Sequence, residues 1–250
     1  GVMPGVRELG TKSVVTTKSR VSNQDRWLLK QFEETLGYEQ SSSREGVFFP
    51  SMLGNVCDRY LYLAYRGNLP QQTIASVTQR IFDNGSALED RMTKYFEAMG
   101  IYKDRELPTK CDDPPISGRA DFLLTHEEHG DIVLELKSIN DKGFKNLYSN
   151  PKPEHYIQLQ IYLQLLDRPY GVVLYENKND QKLKAFKVAR SPKEWVRLKE
   201  RCQRIQEAVA LPEECTGPTW CACRLYKEEI NGRGEELDSH ESVGESKQSD

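Results

Sequence analysis

Asp121, Glu135 and Lys137 form the spacing D121-x13-E135-x-K137, and each acid stands in an apolar run where an ordinary core strand carries no charge. Those runs, Ala120–Leu124 and Ile132–Leu136, flank the polar, turn-rich stretch 125–131, which is the pattern of an antiparallel hairpin. Strand alternation puts Val133, Glu135 and Lys137 on one face and Ile132, Leu134 and Leu136 on the other. Burying Leu134 and Leu136 therefore brings Glu135 and Lys137 together, with Asp121 arriving from the neighbouring strand. Two carboxylates and an ammonium on one patch suit a hard divalent cation and a phosphodiester. An isolated E-x-K also arises from charge alternation on a solvated hairpin, so the elements around it decide between the two.

The chain before the hairpin reads as helices and loops. Asn23–Leu36 has helical spacing of Trp27, Leu28, Phe32 and Leu36. Ser51 is a plausible N-cap for a helix running through Cys57 to Gly67. Asn84-Gly85 leads into a helix over Ser86–Met99, whose stripe is Leu88, Met92, Tyr95, Phe96 and Met99. Glu89 sits at the edge of that stripe, as a rim residue or an inward-facing ligand. The segment Leu107–Pro115 reads as a loop holding Cys111. Arg119 shares a strand face with Asp121, where it can pair with that acid or hold a phosphate.

After the hairpin, the polar loop Asn140–Pro153 carries Phe144, Lys142, Lys145 and Lys152. That mixture serves either a DNA backbone contact or an ordinary surface. The helix His155–Leu166 places Gln158 and Tyr162 four residues apart, so they face the same way. Gln158 needs a partner, because an unpaired buried amide is costly; it is a satisfied core residue or one that orients a catalytic group. Gly171–Glu176 and Leu183–Val188 extend the sheet. Ser191 to Glu194 is a capping box with proline at the first helical position. The helix it opens carries Cys202 on its apolar stripe, hence in the core.

The chain has six cysteines. Cys215, Cys221 and Cys223 cluster beside Gly217 and Pro218, which packing explains poorly. With Cys57 they make four soft ligands for a tetrahedral zinc or an iron–sulfur cluster. The net charge is −3, but residues 227–250 hold eight acids against three bases, leaving residues 1–226 at +2. An acidic tail is usually solvated, and binding nucleic acid needs a basic groove, not a basic total. The expected organisation is a basic arm over 1–22, one domain over 23–226 and a disordered acidic tail over 227–250. No stretch approaches a membrane span and no secretory signal opens the chain, so the expected location is the cytoplasm, with no membrane partner.

Read together, these features resemble the PD-(D/E)XK nuclease superfamily. Gly85-x3-Glu89 resembles the helical first acid that many of its members place before the Asp. Gln158-x3-Tyr162 resembles the extra motif of the RecB-type branch. One cysteine before the nuclease motifs and three after them resembles the iron–sulfur exonucleases of the AddB and CRISPR-associated types. FPSMLGNVCDR, RIFDNG and LELKSI are similar to small phage-encoded relatives of that kind. The resemblance covers roughly residues 47–225.

It implies an α/β, restriction-endonuclease-like fold: a central mixed β-sheet flanked by helices, with a cysteine metal site joining the N- and C-terminal segments. It implies a metal-dependent deoxyribonuclease, more an exonuclease than an endonuclease, acting in phage or prokaryotic DNA processing on single strands or duplex ends. Glu89, Asp121, Glu135 and the Leu136 carbonyl would hold Mg2+ or Mn2+. Lys137 would orient or help deprotonate a water, or contact the phosphate, with Gln158 and Tyr162 positioning these groups and the strand. Arg119, Lys142 and Lys145 would contact DNA. Cys57, Cys215, Cys221 and Cys223 would hold a 4Fe-4S cluster, with zinc as the alternative. Two departures stand out: the CRISPR-associated type has His where Glu89 stands, and the usual C-x2-C-x5-C is here C-x5-C-x-C. The rival classes are a non-catalytic nucleic-acid-binding or assembly protein with the same fold, and a structural cysteine protein with solvated hairpin acids.

Overall fold

The computed structural model describes residues 25–39, 44–69, 73–217 and 221–225; the arm over 1–22 and the tail over 227–250 lie outside them. In chain order the elements are α1 (Arg26–Leu36), β1 (Tyr38–Glu39), α2 (Pro50–Leu53), α3 (Asp58–Tyr65) and β2 (Thr73–Ile74). Then come α4 (Ser76–Ala98), β3 (Tyr102–Cys111), β4 (Ile116–His126), β5 (Gly130–Ile139), α5 (Asp141–Lys145) and α6 (Pro153–Leu165). The last are β6 (Tyr170–Asn177), β7 (Leu183–Ala189), α7 (Pro192–Glu207) and α8 (Ala222–Leu225). Strands β1 and β2 pair separately, while β3-β4-β5-β6-β7 form one five-stranded sheet. That sheet is mixed, because β5 and β6 run parallel and the other pairs antiparallel.

Both faces of the sheet are covered, which explains why Val133 through Leu136 are buried without interruption. On one face Val133, Val173 and Tyr175 pack against Leu159, Tyr162 and Leu163 of α6. On the other, Phe122, Leu134, Leu136 and Leu174 pack against Leu88, Met92 and Phe96 of α4. Helix α6 is buried on its outer side too, where Ile161 joins Leu61 of α3 and Leu198, Cys202 and Ile205 of α7. Gln158 to Leu163 are all buried, so this helix carries side chains from the centre of the molecule to the sheet.

Four elements depart from the sequence reading. The expected loop around Leu107 is the strand β3, an edge strand whose only buried residue is Thr109; so little burial leaves no apolar pattern to read. Helix α4 begins at Ser76, not Ser86, and runs through Gly85. Its first turns rest on α1, where Ser76 N–H donates to Glu33 (3.4 Å) and Arg80 stacks on Phe32. The expected helix from Ser51 to Gly67 is broken into α2 and α3. Asn55 Oδ1 takes the Cys57 N–H at 2.9 Å, and Cys57 Sγ caps α3 by accepting the Tyr60 N–H at 3.3 Å. At the break, a Cβ on Gly54 would meet the Glu154 carbonyl at 2.7 Å, so only glycine lets this turn sit against the start of α6. Finally, the loop after the hairpin contains α5, capped by Asn140 Oδ1 on the Gly143 N–H at 2.8 Å.

Candidate active site

Strands β4 and β5 pair from His126 opposite Gly130 to Phe122 opposite Leu134, and no further. Beyond that point β4 continues along β3 as far as Ile116, while β5 continues along β6 as far as Ile139. The sheet forks, and Asp121 and Glu135 are the first residues past the fork. The Leu136 N–H donates to Asp121 Oδ2 at 2.7 Å instead of to a β4 carbonyl. Hairpin register thus sets both acids at the one place where the sheet opens.

Glu135 is 2% exposed. Its Oε1 lies 3.0 Å from Lys137 Nζ, while Oε2 is buried and meets no hydrogen-bond donor. Asp121 comes within hydrogen-bonding reach of the same carboxyl. Burial first, and then the Glu135 charge, push the Asp121 carboxyl up to about 8. Burial also raises Glu135, against the opposing pull of Lys137. Glu89 approaches from α4 on the opposite face. Its carboxyl is raised by burial and by Asp121, and lowered by Arg105, whose guanidinium lies 3.4 Å away. Asp121 and Glu135, the latter with an orphaned buried oxygen, are hard oxygen donors of the kind a divalent cation takes, with half-buried Glu89 facing them from α4. Among the described residues only the four cysteines bring three or more ligand atoms within 4.8 Å of one another.

Lys137 is held from two sides. Besides Glu135, its Nζ donates to Gln158 Oε1 at 3.0 Å, and Gln158 Nε2 donates to Tyr162 Oη at 3.3 Å. Gln158 is therefore a buried amide that spends its carbonyl on the site lysine. Two of the three ammonium protons are committed, leaving one for a water or a phosphate oxygen.

Two groups at the site escape the sequence reading. His155, three residues before Gln158, places Nδ1 2.7 Å from Tyr175 Oη, and that oxygen also accepts the Lys152 N–H at 3.0 Å. Burial, then Lys137 and Lys152, lower the His155 pKa to about 3, so the ring is neutral. Its spacing from Gln158 was the available signal. Arg105 pairs with Glu89 and, at 2.8 Å, with Asp90; it lies on β3, the unread strand.

Arg119, Lys142 and Lys145, expected to contact DNA, are all exposed. Arg119 is exposed and makes no ion pair with Asp121 among the described residues, so Arg105 is the guanidinium at the acids. Lys142 and Lys145 lie exposed on α5, and Lys145 pairs with Asp141 at 2.6 Å.

The four cysteines come together away from the fork. Cys57, Cys215, Cys221 and Cys223 place their Sγ atoms within 4.8 Å of one another, and Cys215 and Cys223 are 3.4 Å apart as free thiols. Burial raises the Cys57 thiol strongly. At Cys215 burial also acts upward, but the Gly217 N–H and the neighbouring sulfurs bring the thiol down to about 7. Cys202 is wholly buried in the α3–α7 core, and Cys111 packs against that same core at the end of β3. The group joins the segment before α3 to the last described residues. Among the described residues no helix is long and apolar enough to cross a membrane.

No protein-family model and no curated protein sequence matches the chain. Among solved structures it is similar to SSO0001 at 19% identity and a TM-score of 0.48, over 80% of this chain and 93% of that one. It is also similar to an alkaline exonuclease (LHK-Exo) from Laribacter hongkongensis at 15% identity and a TM-score of 0.48, over 86% of this chain and 98% of the other. The complex of LHK-Exo with dAMP is similar at 15% identity and a TM-score of 0.44, with the same coverage.

Proposed function

We propose that the chain is a metal-dependent deoxyribonuclease that hydrolyses DNA phosphodiesters, an exonuclease more than an endonuclease. The observation that carries this reading is the forked sheet. Asp121 and Glu135 meet there with Lys137, and the buried Glu135 Oε2 has no donor. A structural role for that oxygen would leave its desolvation uncompensated, whereas a cation ligand gains a partner.

Glu89, Asp121, Glu135 and the Leu136 carbonyl would hold Mg2+ or Mn2+. Such an ion supplies Lewis acidity toward the phosphate and acidifies a bound water. Lys137 presents its remaining proton toward the phosphate or the attacking water. Glu135 and Gln158 fix the ammonium from either side, so its position is set before substrate arrives. Tyr162 holds the Gln158 amide the right way round. Arg105, 3.4 Å from Glu89, offsets part of the repulsion that Asp121 exerts on that carboxyl.

The test is digestion of 5′- and 3′-labelled single- and double-stranded DNA with Mg2+ or Mn2+, with and without EDTA. Terminal mononucleotides or short products that vanish with EDTA are expected. DNA binding without cleavage under any of these conditions would replace this reading with that of a non-catalytic binding protein.

A further inference from the structure

We propose that Cys57, Cys215, Cys221 and Cys223 hold a single zinc ion as a closed structural site, not an iron–sulfur cluster. Size separates the two. Four thiolates on one tetrahedral zinc lie about 2.3 Å from the ion, and so about 3.8 Å from one another. A 4Fe-4S cubane puts a separate iron under each thiolate, which spreads the sulfurs to about 6 Å. Here all four sulfurs lie within 4.8 Å of one another, with one pair at 3.4 Å. A point-like ion fits that group; a cubane does not fit without moving every ligand outward.

The spacing along the chain agrees. Cys221 and Cys223 are separated by one residue at the start of α8. So short a connection favours two ligands on a common centre over two ligands on different irons. The surroundings suit a tetrathiolate carrying net negative charge. The Tyr60 N–H points at Cys57 Sγ from the first turn of α3, and the Gly217 N–H approaches Cys215. Arg224 clasps the Cys215 carbonyl, its Nε at 3.1 Å, and fixes the loop carrying that ligand. These are the outer contacts that orient metal-bound thiolates. Cys57, Cys221 and Cys223 are no more than 4% exposed and Cys215 is half-buried; four thiolates fill all four positions of a tetrahedral zinc and leave none for a catalytic water.

Zinc has no redox chemistry, so on this reading the metal at the clasp does not itself change oxidation state. The proposal rests on the sulfurs alone and is independent of the nuclease reading.

The experiment is metal analysis and visible spectroscopy of the full chain, purified anaerobically from cells supplied with both iron and zinc. About one zinc per chain, no iron and a colourless solution are expected. Replacing the zinc by Co2+ should give the intense thiolate-to-cobalt absorption of a tetrahedral sulfur site, a readout that needs no variant. Cys223→Ser should weaken that absorption by about a quarter or more, one of four thiolates being lost, while Asp121→Asn and Cys202→Ser keep it in full; Asp121→Asn excludes the carboxylate site as its source. A brown protein with iron and acid-labile sulfide would overturn the proposal. So would a chain that takes up neither zinc nor cobalt, or full cobalt absorption in Cys223→Ser.

Discussion

The carboxylate fork and the cysteine clasp are both groups of ligands brought together by folding, but they are built in opposite ways. At the fork, Asp121 and Glu135 are neighbours across one hairpin, delivered by strand register. At the clasp, Cys57 comes from the turn before α3, and Cys215, Cys221 and Cys223 come from beyond α7. The fork concentrates like charge, since Glu135 raises the proton affinity of Asp121, Asp121 raises that of Glu89, and Glu89 raises that of Glu135. The fork is walled by packed elements, with α4 on one face of the sheet and α6 on the other. Among the described residues the hydrophobic cluster at the clasp consists of Tyr60 and the cysteines themselves. The contrast separates a site where the fold holds the ligands from one where the ligands hold the fold.

The largest expected effect breaks that contrast at the fork. Asp121→Ala or Glu135→Ala should lower cleavage by roughly three orders of magnitude or more, because metal charge stabilisation amounts to several kcal/mol. Thermal unfolding in EDTA should show no loss of stability. A variant that cleaves at near wild-type rate would remove these acids from the site. Cys57→Ser should do the reverse, with a marked loss of thermal stability and a fall in activity that follows only from unfolding. Metal bound to the native state contributes its binding free energy to folding. An unchanged unfolding midpoint would show that the clasp holds nothing.

Next in size is Gln158→Leu, which strips Lys137 of its uncharged acceptor while preserving most of the buried volume. A fall of about tenfold in kcat with little change in KM is expected, as for a group that positions another. A pure KM effect would make Gln158 a strand contact instead.

The smallest effect concerns pH in the absence of divalent cations. Asp121 is held near 8 in the fold, against 3.8 when unperturbed. Between those values the folded chain binds more protons than the unfolded one, so this group's contribution is present at low pH and is lost as pH rises toward 8. Asp121→Asn removes that titration. In EDTA the variant should therefore unfold a few degrees above wild type at pH 8, the gap closing toward pH 4. A wild type that stays the more stable at pH 8 would mean that the fork holds its carboxyls without strain.

Much of the site was legible because its signals are local. Charged residues breaking an apolar alternation marked Asp121, Glu135 and Lys137, and helical spacing put Gln158 and Tyr162 on one face. Clustering beside glycine and proline singled out Cys215, Cys221 and Cys223. The boundaries that failed had physical causes too. The edge strand β3 buries too little to show a pattern, and with it Arg105 went unread. Gly85 resembles a helix start, yet α4 runs on through it from first turns that rest on α1 at Ser76 and Arg80. The Cys57 turn is fixed by a contact with α6, about a hundred residues away in sequence.

By itself the sequence determined which residue types exist to do chemistry and which of them share a strand or helix face, because those depend only on backbone periodicity. Only the tertiary structure decided that β4 and β5 part at Phe122 and Leu134, that α4 brings Glu89 to the opening, and that α6 lends Gln158 to Lys137. It likewise decided how closely the four sulfurs approach. Each of those is a distance between segments far apart in the chain, set by how helices pack on both faces of one sheet, and no local pattern encodes it.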